Sequence, residues 1–256
     1  MTQWNPMKYL QFEQERTQPA IDLLQRIREH QPRKIIDLGC GPGNSTAMLA
    51  QFFPQATIVG VDYSAEMIAE ARKVHPELIF QQCDVSTELA TLDTDYDLVF
   101  SNACLQWIPR HEELIPQLMA CLNVGGVLAV QIPNNRQSAL YQAIDNIVAQ
   151  PTWAFQQDYL ETNEIGTVDQ YFELLSKCSQ QFDIWQQLYY HRMTDPIELI
   201  EWVKSTRLRP FLAQLASERH EEFIHAILQQ AASHYPPHTN GQLLFEFKRL
   251  FFTAIK

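Results

Sequence analysis

The sequence predicts an α/β protein: a doubly wound, mostly parallel sheet of seven strands with a helical cap. Three observations carry that prediction. The stretch I-I-D-L-G-C-G-P-G-N-S-T at Ile35–Thr46 runs from an apolar strand through three glycines into a helix start, the order of the first crossover in such a sheet. Short apolar strands then alternate with helical segments as far as Pro133, the pattern of parallel βα units. Beyond Pro133 the alternation stops, and helices accumulate around two further strands.

Taken in order, residues 1–31 form a helical segment before the sheet. Tyr9, Phe12, Ile21, Leu24 and Ile27 have helical spacing, and Pro19 is expected to separate two short helices. Packing on the sheet is the favoured role of this segment over that of a lid. Residues 32–133 form the ligand-binding core. After the strand Ile35–Leu38, a helix is expected from Ser45 to Phe53, stopping before Pro54. Thr57–Asp62 is nearly all apolar, as a strand buried on both faces should be. Ser64 is placed to cap a helix over Ala65–Val74. Leu78–Gln82 and Tyr96–Asn102 read as strands three and four, Pro109–Leu122 as a helix, and Gly126–Pro133 as strand five.

Residues 134–181 and 193–241 are assigned to the cap, and 182–192 and 242–256 to the last two strands. The cap begins with a helix over Asn134–Gln150, a loop carrying Trp153, Phe155 and Tyr159, and a helix over Thr167–Cys178. Phe182–Tyr190 is strand six. Asp195-Pro196-Ile197-Glu198 reads as a capping box with proline first in the helix. Helices continue to Tyr235, and Leu243–Ala254 is a last, antiparallel strand.

Composition narrows the function. A chain of 256 residues can bury a substantial core, as one large domain or a domain with a smaller cap. The formal net charge of −11 makes nucleic acid and anionic membranes poor partners. No apolar run is long enough to span a bilayer, and the first residues lack a secretion-signal layout. The five cysteines never form C-x-x-C, which suits a reduced cytoplasm. No His/Cys cluster has zinc-ligand spacing. Nothing in the sequence requires more than one copy of the chain.

The glycine turn reads as a ligand loop, with a purely structural tight turn as the alternative. The dinucleotide fingerprint fails because Asn44 stands where its third glycine belongs, and no Lys-Ser/Thr pair completes a phosphate-binding loop. Asp62 ends strand two, 23 residues beyond Gly39, where a carboxylate can accept both hydroxyls of a ribose. Asp84 follows strand three, a position that by itself marks only a turn.

D-L-G-C-G-P-G, with Asp37 two residues before Gly39, resembles the first motif of the class I S-adenosylmethionine-dependent methyltransferases, a Rossmann-like family. The resemblance implies S-adenosylmethionine as cofactor. Gly39, Gly41 and Gly43 would carry it, Asp62 would hold the ribose, Asp84 would face the adenine amino group, and Val85 would flank the ring. Asn44, Tyr63, Met67 and Asn102 complete the expected cofactor set. Asp37 has two open readings, one through the loop backbone and one facing the methionine amine.

S-N-A-C-L-Q-W at Ser101–Trp107 resembles small-molecule carboxyl methyltransferases, among them the enzymes acting on trans-aconitate and on malonyl carrier protein. The first of these groups is also resembled by W-N-P-x-x-Y-L-x-F at Trp4–Phe12, D-I-W-x-x-x-Y-Y-H-x-M at Asp183–Met193 and L-R-P at Leu208–Pro210. Y-P at Tyr235-Pro236, N-G-Q at Asn240–Gln242 and R-L-F at Arg249–Phe251 extend the likeness over the whole chain. Arg207 departs from it, standing where glycine is expected. The resemblance implies methyl transfer to a carboxylate of a small polycarboxylic acid, giving a monomethyl ester. A malonyl-acyl-carrier-protein methyltransferase and a non-catalytic S-adenosylmethionine-binding protein are the alternatives. A carboxylate is already ionised at neutral pH, so no general base is expected. Gln106, Trp107, Tyr190, His191 and above all Arg209 are the expected substrate residues, arginine being suited to carboxylates.

Overall fold

Ile35, Ile36 and Leu38 make β1 (Lys34–Leu38) apolar on both faces, and it sits within the seven-stranded sheet rather than at its edge. The computed structural model describes residues 13–155, 165–204 and 206–256. Tyr9, Phe12, Tyr159 and the Trp4–Phe12 motif lie outside them. The other strands are β2 (Thr57–Asp62), β3 (Ile79–Gln82), β4 (Tyr96–Asn102), β5 (Leu122–Pro133), β6 (Gln181–Met193) and β7 (Leu243–Ile255). Their order is β3-β2-β1-β4-β5-β7-β6. Strand β1 pairs in parallel with β2 on one side and β4 on the other. The chain order reverses there, and the crevice at the carboxyl ends of β1 and β4 is where such sheets bind ligands. Strand β5 pairs in parallel with β4 and antiparallel with β7.

The helices are α1 (Glu13–Arg26), α2 (Asn44–Phe52), α3 (Ala65–Val74), the single turn α4 (Val85–Glu88), α5 (His111–Ala120), α6 (Ala139–Val148), α7 (Val168–Cys178), α8 (Ile197–Lys204), α9 (Arg209–Gln214) and α10 (His220–Ala231). Ser64 caps α3 as expected, its hydroxyl accepting from the Met67 N–H. Thr167 and Gln170 form a reciprocal capping box on α7.

Several boundaries differ from expectation, each for a local reason. Pro19 does not divide the first helix but lies inside α1. The missing N–H costs one ladder bond, and the fully buried Ala20, Leu23 and Leu24 hold the helix together. Helix α5 starts at His111 rather than Pro109 because Arg110 is left-handed, with φ 58°. Strand β5 starts at Leu122, before a bulge that moves the partners from Tyr96–Leu122 to Leu98–Val127. Helix α6 starts late because Asn134 and Asn135 stay bonded to the Lys248 backbone. At α8, Asp195 accepts from the Ile197 N–H, but Glu198 reaches back to Thr194 rather than Asp195.

The chain divides into two compact units. One holds Arg16–Pro133, the segment through α7 up to Gln187, and Arg249–Lys256. Its core joins Ile36, Leu38, Val99 and Leu128 to Tyr171 and Leu175. Helix α7 therefore belongs with the sheet, not with the cap to which the sequence assigns it. The other unit holds the segment from Asn134 through α6, and Leu188–Lys248. Its separate core includes Leu140, Ile144, Trp202, Phe211, Phe223 and Phe245. Among the described residues no helix is long and apolar enough to cross a membrane, and no group of side chains could hold a metal ion.

Candidate functional site

Beyond β1 the backbone turns through Gly39 and Gly41, with φ of +71° and +54°. A Cβ on Gly39 would stand 2.2 Å from the Cys104 Sγ, whereas one on Gly41 would meet nothing within 4 Å. The first glycine thus lets the loop close on the turn after β4, and the second leaves open space for a ligand to approach the backbone. Asn44, half-buried, opens α2, and no side chain caps that helix. Its first N–H groups remain available to a ligand.

Asp62, 9% exposed, ties the loop down. Its Oδ2 accepts from the Gly41 N–H at 3.0 Å and its Oδ1 from the Ser64 N–H at 2.9 Å. A carboxylate has about four acceptor sites, so two remain for ribose hydroxyls. Asp37, fully buried, makes no bond to the loop backbone, and its reading as a partner of the methionine amine stays open. Its Oδ2 accepts from the hydroxyls of Ser45 at 2.6 Å and Thr46 at 2.7 Å, and the loop backbone is left to Asp62. The Asp37 Oδ1 has no partner.

Asp84 caps α4, its Oδ1 accepting from the N–H and hydroxyl of Ser86. Val85 beside it is buried, Met67 is half-buried and Tyr63 is 64% exposed. After β4 the chain bends at Ala103, a left-handed alanine with φ 53°. Such strain persists only where neighbours hold it. Gln106 donates from Nε2 to the Ala103 carbonyl at 2.7 Å. His111 Nε2 donates to the Leu105 carbonyl at 2.8 Å, and its Nδ1 lies 2.6 Å from the Tyr171 hydroxyl. Burial pushes the Tyr171 hydroxyl well above its usual pKa, so it stays protonated. This fastened turn buries Gln106 and leaves Trp107 42% exposed, so the indole is not core.

The remaining expected residues lie in the other unit. Tyr190 is 54% exposed on β6, and Arg209 is exposed at the start of α9. His191 is instead taken up by aromatic packing, with its ring 4.3 Å from Trp202 and 6% exposed. Arg207 is the buried arginine of this region. It pairs with Asp145 and lies over the Phe211 ring, a contact between α6 and the segment leading into α9.

Two further polar residues were not among those expected. Gln131 on β5 is fully buried and Arg249 on β7 is 5% exposed. Gln131 interrupts the apolar run V-L-A-V-Q-I-P of β5 and Arg249 opens the mostly apolar second half of β7, R-L-F-F-T-A-I, and a buried polar group in such a strand must have a use or a partner.

S-adenosylmethionine can be tested against this geometry. Among the described residues three buried side-chain oxygens have no donor: Asp37 Oδ1, Asn102 Oδ1 and Gln106 Oε1. They follow or end β1 and β4, and each leaves an acceptor to be filled. A ligand bearing an ammonium group and a positive charge suits them. The open Gly41 backbone and the Asp62 carboxylate suit its nucleoside, so the residues fit the group.

Burial raises the Asp37 pKa to about 6, against the opposing hydrogen bonds from Ser45 and Thr46 and with the charge of Asp62 adding to the rise. Because this is above the ordinary aspartate value of 3.8, the stability it contributes is complete below that pH and lost as pH rises through about 6. A cation bound beside Asp37 lowers its pKa again. Cofactor affinity should therefore rise with pH through about 6, with net proton release on binding. Calorimetry near that pH, in buffers of different ionisation enthalpy, should show the release in the wild type and its loss in Asp37→Asn.

A family model described as a methyltransferase domain matches residues 35–126. Trans-aconitate 2-methyltransferase of Methylobacterium radiotolerans is 40% identical over 260 residues, covering 100% of this chain and 99% of that protein. The enzyme of the same name from Variovorax paradoxus is 38% identical over 266 residues, covering 100% and 99%. Among solved structures, the YcgJ protein of Bacillus subtilis shares the fold with a TM-score of 0.59 at 14% identity, covering 93% of this chain and 98% of that one.

Proposed function

We propose, from the premise that this chain belongs to the trans-aconitate 2-methyltransferase family of class I S-adenosylmethionine-dependent methyltransferases, that it esterifies one carboxylate of trans-aconitate in the cytoplasm. The observation that carries the transfer reading is the set of donor-less oxygens at Asp37, Asn102 and Gln106, together with the open Gly41 backbone. The substrate follows from family membership over the full chain.

When bound, the cofactor supplies a methyl group made electrophilic by its sulfonium. The chain's own part is to bind, orient and exclude water. Asp62 would hold the ribose, and Asp37, Asn102 and Gln106 would hold the amino-acid end. The substrate carboxylate, with a pKa of about 4, attacks as it stands and needs no base. Opposite charges on donor and acceptor diminish together, so a dry site and in-line positioning supply the rate. Gln106 and Trp107 would line the reacting end.

The thiols beside the loop do not compete as nucleophiles. Cys104 is pushed up to about 12, by burial first and then by the charges of Asp62 and Asp37. Cys40 is raised further for the same reasons.

Labelled methyl transfer from S-adenosylmethionine to a panel of di- and tricarboxylates tests the proposal. Trans-aconitate should be the best acceptor and should yield a base-labile monomethyl ester. A purified, cofactor-binding enzyme that labels none of the panel, or labels only malonyl carrier protein, would overturn it. In the same assay Gln106→Ala should lower kcat/KM by about 5- to 100-fold, the range for a stranded buried partner. Trp107→Phe should cost less. Unchanged turnover in both would make the pair structural only.

A further inference from the structure

We infer that Arg249 and Gln131 together hold a carboxylate of the substrate. This inference rests on the polycarboxylate reading above. Gln131 ends the apolar run of β5 one residue before Ile132, and by strand register it lies directly beside Asn102 of β4. Arg249 lies opposite Pro133 on the antiparallel β7, two places further along β5. Side chains two places apart on a strand share a face, so Asn102, Gln131 and Arg249 line one face at the carboxyl ends of β4 and β5.

Polarity is sorted along this row. On the β1–β4 side the orphaned atoms are acceptors, Asp37 Oδ1 and Asn102 Oδ1. On the β5–β7 side the groups are donors. Arg249 Nη1 donates to Gln131 Oε1 at 3.4 Å, which turns the Gln131 amide so that its Nε2 is left without an acceptor. A fully buried amide N–H₂ with nothing to donate to is costly, and the guanidinium beside it is a permanently positive, fork-shaped donor suited to a carboxylate. A cation-binding end and an anion-binding end set side by side are what methyl transfer from a sulfonium to a polycarboxylate requires. The carboxylate held here is one that keeps its charge, and it positions the attacking one.

Gln131→Glu separates this role from a merely structural one. A glutamate at that place can pair with Arg249, so the fold should be retained, while its negative charge opposes the substrate. Its thermal midpoint should stay near the wild-type value, with the trans-aconitate KM raised about tenfold or more. Arg249→Lys, which keeps the charge but not the two-pronged fork, should raise KM less than Arg249→Gln. Affinity for S-adenosylhomocysteine, read by calorimetry, should be unchanged in all three. A folded Gln131→Glu with wild-type KM would overturn the inference. So would an equal loss of S-adenosylhomocysteine affinity, which would assign the pair to the cofactor's carboxylate. If the wild type turns over no polycarboxylate, the functional reading fails first. Calorimetric titration of trans-aconitate into the S-adenosylhomocysteine complex then decides the pair directly, and absence of binding overturns it as well.

Discussion

Gly39→Ala should reduce S-adenosylmethionine affinity by a hundredfold or so and lower the thermal midpoint as well. Two costs add. A left-handed alanine at φ +71° is disfavoured by about 1–2 kcal/mol. The new Cβ would also stand 2.2 Å from the Sγ and 2.4 Å from the Cβ of Cys104. Overpacking of this kind costs about 1–3 kcal/mol. Cys104 cannot retreat without moving the turn that Gln106 and His111 fasten. Gly41→Ala is the informative contrast. Its Cβ meets no protein atom within 4 Å, so its thermal midpoint should fall less, but the methyl would occupy the ligand's approach to the backbone. Calorimetry and thermal melting on both variants check the pair. Full cofactor affinity in a folded Gly41→Ala would show that the ligand does not approach the loop there.

Asp62→Ala should weaken S-adenosylmethionine binding by about 1–3 kcal/mol, or roughly 5- to 150-fold. The side chain accepts from the Gly41 and Ser64 N–H groups, so its loss frees the loop in addition to removing the proposed acceptor of the ribose hydroxyls. Asp62→Asn should be nearly as damaging. Its amide can present only one oxygen, and its N–H₂ would face the second backbone N–H. Unchanged affinity in either folded variant would remove Asp62 from the cofactor site.

The parallel half of the sheet was legible because its strands are apolar on both faces and its punctuation is local. Ser64 caps its helix through its own hydroxyl, and Asp62 at the end of β2 holds the N–H groups of Ser64 and of Gly41 in the neighbouring turn. Features set by distant partners were not legible. Pro19 reads as a break until burial of Ala20, Leu23 and Leu24 outweighs one lost hydrogen bond. The Arg110 and Ala103 backbones are left-handed without glycine to announce it. Tyr171 gave α7 no visible tie to the sheet until its ring met Phe252 of β7 and its hydroxyl met His111 of α5. Asp37 was seen as a loop or amine ligand, whereas its partners inside the chain are two hydroxyls at the start of α2. Gln131 and Arg249 lay within quoted or apolar strands, and only their burial and the orphaned amide mark them.

The place of β7 has a consequence for the order of synthesis. It lies between β5 and β6 in the sheet although it follows both in the chain. A ribosome therefore releases β5 long before the neighbour that covers its outer edge. Throughout that interval the mostly apolar segment Val127–Ile132 has an open row of backbone donors and acceptors, the kind of edge that invites pairing with other chains. The glycine loop, Asp37 and Asp62 all belong to strands or turns that can form in this interval, while Arg249 arrives only with β7. A nascent chain thus forms the glycine loop first and gains Arg249 last, and the strand that brings Arg249 is the one that closes the edge.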